Sequence, residues 1–145
     1  MRPKDAHIPD DDNLFRTLPA AKYRDDIVLP EAIEVEGTSC YRRSVCLAPH
    51  VALAHARTVR PTDEAVAVVT VAELPKGEIT TGGGGRWIVF VEDLPEQGNE
   101  AHCEIRFGRP DSREHSWPGK KNARLLLRST IARLFRVIVA PNRNA

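Results

Sequence analysis

Two apolar, β-branched runs constrain this chain most: Ala65 to Leu74, and Arg86 to Leu94 with Trp87-Ile88-Val89-Phe90-Val91 at its centre. Neither alternates with polar residues, and runs of this length and valine content are the pattern of strands covered on both faces. A chain holding two such strands has to place layers over both sides of a sheet. The runs end alike, Val71-Ala72-Glu73-Leu74-Pro75 and Val91-Glu92-Asp93-Leu94-Pro95, and two copies this short do not separate duplication from coincidence. Between them, Thr80-Thr81 and Gly82 to Gly85 read as a flexible hairpin connection. They do not read as a phosphate loop, because no Gly-Lys-Ser/Thr follows and Arg86 opens a strand rather than a helix.

Ala101 to Phe107 alternates cleanly, with Ala101, Cys103, Ile105 and Phe107 on a core side and His102, Glu104 and Arg106 on the other. Leu14 to Leu18 predicts a first strand, and Ile27-Val28-Leu29, Ala32-Ile33-Glu34-Val35 and Tyr41 to Leu47 predict further extended pieces. Pro49 suits a first helical turn, so His50 to Arg57 is expected to be helical, with Pro61 stopping it. Gly108 to Gly119 is expected to be a polar loop. A final helix is predicted over Asn122 to Val139, ended by Pro141. On a helical wheel Ala123, Leu126, Leu127, Ile131, Leu134, Val137 and Ile138 share one side, with Thr130 among them, while Lys121, Arg124, Arg128, Arg133 and Arg136 occupy the other. The β-branched Val137-Ile138-Val139 is equally suited to a terminal strand.

The expected architecture is α+β: a single domain, mostly an antiparallel β meander covered by the C-terminal amphipathic helix. Residues 1–13 read as a mobile, acidic lead-in, 14–141 as the globular domain, and 142–145 as a tail. One domain is also what 145 residues imply. No run approaches the ~18 apolar residues of a membrane span. Met1 to Asp5 leads into polar sequence and predicts no secretory leader. Three cysteines at spacings unlike a disulfide framework suggest a reducing cytoplasm. The 16 Arg against 5 Lys suggest a GC-rich bacterial genome.

The net charge of +1 hides a segregation: residues 1–36 sum to −4, 37–105 to −3 and 106–145 to +8. Such a chain can steer an anionic partner to one end, unless its segments neutralise each other in the fold. The leading functional expectation is therefore a non-catalytic binding or accessory protein. Its Arg-rich C-terminal face, Lys121, Arg124, Arg128, Arg133 and Arg136, would hold nucleic acid or an acidic protein. The alternative is a small metal-independent ribonuclease, in the manner of a toxin. A base, an acid and a cation at His102, Glu104 and Arg106, about 7 Å apart along one strand face, suit phosphodiester cleavage, with His115 as a second acid. Membership of a larger assembly, through strand edges, is a third expectation.

No cofactor and no metal is implied. Cys40 and Cys46 are too far apart for a structural zinc pair, and His50 and His55 fall on different helix faces. No Gly-x-Ser-x-Gly marks a hydrolase. One further arrangement has the residue types of an ADP-ribosyl-transfer site: Arg16 on a first strand, Ser39 or Tyr41 on a second and Glu104 on a third. That order of residue types recurs in many unrelated chains, so the sequence alone does not promote it.

Overall fold

The computed structural model describes residues 8–141 apart from residue 84. Its elements in chain order are β1 (Asn13–Pro19), β2 (Tyr23–Arg24), β3 (Ile27–Val28), β4 (Thr38–Arg42), α1 (Arg43–Cys46), α2 (Pro49–Arg57) and β5 (Asp63–Thr70). They continue as β6 (Ile79–Thr80), β7 (Arg86–Asp93), β8 (His102–Arg109), β9 (Ser112–His115), α3 (Lys121–Ala132) and β10 (Arg136–Val139). The expected α+β class is what the chain adopts. The main sheet runs β10-β5-β1-β4-β8-β7-β6, and β2 and β3 form a separate small hairpin. Every strand pair in it is antiparallel. β8 is the busiest strand. Its inner stretch pairs with β7 on one edge and β4 on the other, while its end pairs with β9.

Alternation along the strands divides the sheet into two faces. Leu14 and Leu18 of β1, Ala65, Ala67 and Val69 of β5, Cys40 of β4, and Cys103, Ile105 and Phe107 of β8 belong to one core with Leu127 and Ile131 of α3. Phe15, Tyr41, Val66 and Val68 face the other way and pack with Ala52 and Ala56 of α2. β5 thus contributes to both cores, which is why its sequence is apolar without alternation.

Several boundaries differ from the sequence-based expectations. The last helix ends at Ala132, not Val139, and the chain turns through Arg133-Leu134-Phe135 into β10, which pairs with β5. The open edge of β5 offers the β-branched Val137-Ile138-Val139 a ladder, and these residues suit a strand better than a last helical turn. Arg133 therefore caps the helix and Arg136 lies on an edge strand, so the five cations do not share one helical face. Leu126 and Ile138, assigned to the apolar side, are 41% and 36% exposed.

Ala32 to Val35 is not a strand. Pro30 opens a 3-10 turn over Pro30–Ala32, and Glu34 starts a turn in which its N–H donates to Thr38 Oγ1 at 2.9 Å and its carbonyl accepts from the N–H of Gly37 at 3.0 Å. Ala32, Ile33 and Val35 still reach the main core, from a loop. Tyr41 to Leu47 is extended only as far as Arg42. Asp12 then accepts from the backbone N–H of Ser44 at 3.2 Å and from its hydroxyl at 2.7 Å, stabilising the single turn of α1. Gly108 to Gly119 contains β9, folded back on β8.

Ile8 and Asp12 are buried, so packing begins inside the segment expected to be a lead-in. Asp12 anchors it, because Arg42 Nε donates to its carboxylate at 2.9 Å and Arg42 Nη1 lies 3.2 Å from Asp93, which is fully buried. Residues 1–7 and the tail 142–145 lie outside the described residues. No described helix is long and apolar enough to cross a membrane.

Candidate functional site

β1 and β4 are paired for only two residues, Leu14 with Arg42 and Phe15 with Tyr41, and then part. Beyond Phe15, β1 stays paired to β5 and β4 stays paired to β8. The side chain that meets the gap is Arg16. Its Nε donates to the Ala32 carbonyl at 3.2 Å and its Nη1 to the Ser39 carbonyl at 3.1 Å, so the guanidinium bridges the parted strands. A cleft of about 280 Å³ opens here, lined by Arg16, Thr17, Pro19, Lys22, Glu34, Ser39, Arg60, Thr62 and Asp63.

The electrostatics of this cleft are unbalanced. The Arg16 side chain is 7% exposed, and its carboxylate partner among the described residues is Glu34, half exposed and 3.5 Å from Nη2. A buried cation with so distant and so solvated a counter-ion is costly, and although each of its three nitrogens has a partner, one hydrogen on each Nη is left over. Arg60 forms the opposite wall, with Nε 3.0 Å from Asp63 Oδ2 and Nη2 3.3 Å from Thr17 Oγ1. Thr17 in turn donates to Asp63 at 2.7 Å, so Asp63 is already occupied. Behind that wall Tyr41 and His55 share a hydrogen bond of 2.9 Å, and burial raises the Tyr41 hydroxyl above its ordinary range.

Ser39 connects the cleft to β8. It lines the cleft and is the cross-strand partner of Glu104. The expected alternation of β8 holds: Cys103, Ile105 and Phe107 are buried, and His102, Glu104 and Arg106 share the opposite face. These three form a network rather than an open array. Arg106 donates from both Nε and Nη2 to Glu104 Oε1 at 3.0 Å, and its Nη1 lies 3.3 Å from Glu92. Oε2 of Glu104 is left 3.6 Å from His102 Nε2, and that nitrogen is 3.4 Å from Ser39 Oγ. Gly37 stands directly over the Glu104 carboxylate with φ +138°, where a Cβ would strike Oε1. His115 is apart from this group, stacked 4.9 Å from Trp117 on β9 and the loop after it.

The basic residues near the C-terminus are dispersed. Arg124 donates to the carbonyls of Pro118 and Gly119, the Nε of Arg128 is buried without a hydrogen-bond partner, and Arg133 and Arg136 are exposed. No carboxylate among the described residues forms an ion pair with Lys121, Arg124, Arg128, Arg133 or Arg136. A second cleft of about 360 Å³, at Pro9, Asp11, Asn13, Arg43, Ser44 and Leu47, lies at the other end of β1. No grouping of three His, Cys, Asp or Glu suited to a metal occurs among the described residues.

Comparison with protein families, with curated proteins and with solved structures finds no match. Of the ADP-ribosyl-transfer arrangement, which the sequence did not favour, Arg16 and Ser39 border the cleft, and Glu104 is joined to it as the cross-strand neighbour of Ser39 rather than as a lining residue. Tyr41, the alternative to Ser39, has its side chain on the α2 side with His55. Sequence reasoning missed Arg60, Lys22, Thr17 and Glu34 as parts of the same cleft. Their only signal was an apolar strand carrying a buried Arg16.

Proposed function

We propose that the cleft between β1 and β4 binds the diphosphate of a dinucleotide and that the protein transfers or hydrolyses the ADP-ribosyl group of NAD. The observation that carries this reading is the strand order that sets Arg16 of β1 against the Ser39 carbonyl of β4 and Ser39 opposite Glu104 of β8, with the Arg16 guanidinium buried at the cleft beside a half-exposed counter-ion. An anionic phosphate would compensate that charge, and an arginine fork matches phosphate oxygens bidentately. Lys22 and Arg60 line the same cleft and add positive charge around it.

The chemistry follows from what Glu104 has to offer. Cleaving the bond between nicotinamide and ribose builds positive charge on the ribose, as in glycoside hydrolysis. A carboxylate held rigidly beside that ribose stabilises the charge without reorganising. Arg106 occupies Oε1 and fixes the side chain, so Oε2, which lies 3.6 Å from His102 Nε2, is the oxygen that would meet a ribose hydroxyl. Ser39, between Arg16 and Glu104, would fix the register of the substrate.

The test is nicotinamide release from NAD, with ADP-ribose binding measured by calorimetry. Glu104→Gln is expected to lower turnover about 100-fold or more while leaving ADP-ribose affinity nearly unchanged. Arg16→Lys, which keeps the charge and loses the fork, is expected to weaken ADP-ribose binding about tenfold. A wild type that neither binds ADP-ribose nor consumes NAD overturns the reading.

Two readings drawn from the sequence stand beside it, each with its own support. Lys121, Arg124, Arg128, Arg133 and Arg136, which form no ion pair with a carboxylate among the described residues, favour an anionic macromolecular partner, and alanine at all five should then flatten the salt dependence of RNA or acidic-protein binding. The 3.6 Å approach of His102 to Glu104, with Arg106 alongside, favours ribonuclease chemistry. In that case RNA is cleaved in EDTA, and His102→Ala and Glu104→Ala each abolish cleavage.

A further inference from the structure

His102 has one ring nitrogen committed and one exposed to the chemistry. Nδ1 lies 2.7 Å from the Leu94 carbonyl and 2.8 Å from Glu96 Oε1. A carbonyl only accepts, so Nδ1 carries the hydrogen, and in the neutral ring Nε2 is then an unprotonated acceptor. That Nε2 is directed at Ser39 Oγ, 3.4 Å away, on the residue that lines the cleft. The imidazole is 12% exposed, and its position is set by β8, by the loop after β7 that supplies Leu94, and by Glu96, which closes a small loop through an isolated bridge to Asn99. The series from Glu96 through His102 to Ser39 is an acid, an imidazole of defined tautomer and a hydroxyl, the arrangement by which an imidazole is made a base.

Resting on the ADP-ribosyl reading above, we infer that His102 is the general base of the reaction and Glu96 its positioning residue. As the ribose–nicotinamide bond breaks, its electron pair leaves with nicotinamide. The oxygen of a water or acceptor hydroxyl bonds to the ribose carbon, and its proton passes to His102 Nε2, directly or across the Ser39 hydroxyl. The imidazolium so formed keeps its Nδ1–H on Leu94 and Glu96 and faces Oε2 of Glu104, so its charge is met on both sides. Arg106 is not needed as a proton carrier. It holds Glu104.

The test is made on the intact chain with NAD as substrate. His102→Ala is expected to lower turnover about 100-fold or more, to leave ADP-ribose binding within a factor of about three, and to regain activity when imidazole is added. Glu96→Gln, which keeps a hydrogen-bond acceptor but loses the charge, is expected to lower turnover less, by about tenfold. Nitrogen-15 NMR of the wild type near neutral pH should show the Nδ1-protonated tautomer for His102, and this readout does not depend on turnover. Undiminished turnover in His102→Ala, a loss that imidazole does not repair, or an Nε2-protonated ring overturns the base assignment alone. A wild type that leaves NAD intact overturns it together with the ADP-ribosyl reading.

Discussion

At the scale of single residues, the most consequential placements are those of charged groups in apolar surroundings. Arg42 is 8% exposed and lies between Asp12 and Asp93. Removing it takes the buried cation from beside two buried carboxylates, so Arg42→Ala is expected to cost about 3–5 kcal/mol in urea unfolding. Burial alone would raise the Asp12 carboxyl, but hydrogen bonds from Ser44 and Arg42 outweigh it and hold it below its ordinary value of 3.8. The folded state thus binds that proton more weakly than the unfolded chain. The stability Asp12 confers is fully present above about pH 4 and is lost as pH falls through the lowered value. Stability followed by circular dichroism should therefore fall as pH drops below about 4 in the wild type, and Asp12→Asn, less stable at neutral pH but unable to titrate, should flatten that limb. Gly37 is the other sensitive position. Its φ of +138° and its contact with Glu104 make Gly37→Ala unfavourable by about 1–3 kcal/mol, with Glu104 displaced and turnover reduced alongside.

At the scale of elements, periodicity was readable and boundaries were not. α2 begins at Pro49 and ends at Arg57, as proline at the first turn implied, and the alternation of β8 appears from His102 to Phe107, although Ala101, expected on the side of Cys103, packs with Phe15 and Tyr41 in the second core. The final helix was overextended because Leu134, Val137 and Ile138 continue an apolar spacing that suits either period over so short a stretch. What ended the helix was the unpaired edge of β5, a partner nearly seventy residues earlier (Arg136 pairs with Val68) that no local pattern reveals. The distinction is measurable. Leu127→Ala and Ile131→Ala, both fully buried, are expected to cost about 2–5 kcal/mol each. Leu126→Ala, on the exposed side, should change stability by no more than about 0.5 kcal/mol. Thiols report on β4 and β8 similarly. Burial pushes Cys40 up to about 12 and Cys103 well above its ordinary range, so both should resist alkylation until the sheet unfolds, whereas half-buried Cys46 reacts first.

At the scale of the whole molecule, the order of strands assembles the candidate site. β1 lies between β5 and β4 although β5 comes after both in the chain, and the parting of β1 from β4 creates the cleft. Arg106 pairs with carboxylates of β7 and β8, while among the described residues the cations of α3 and β10 form no ion pair with a carboxylate. From the sequence alone came the α+β class, the double covering of β5 (though not of β7, whose Ile88, Val89 and Val91 stay partly exposed), the two-sided character of β8 and the residue types capable of chemistry, because periodicity and side-chain chemistry are local properties. The tertiary structure decided which of those residues meet. Arg16, Ser39 and Glu104 are separated by 23 and 65 positions, and strand pairing across such distances depends on long-range packing that leaves no trace in local composition.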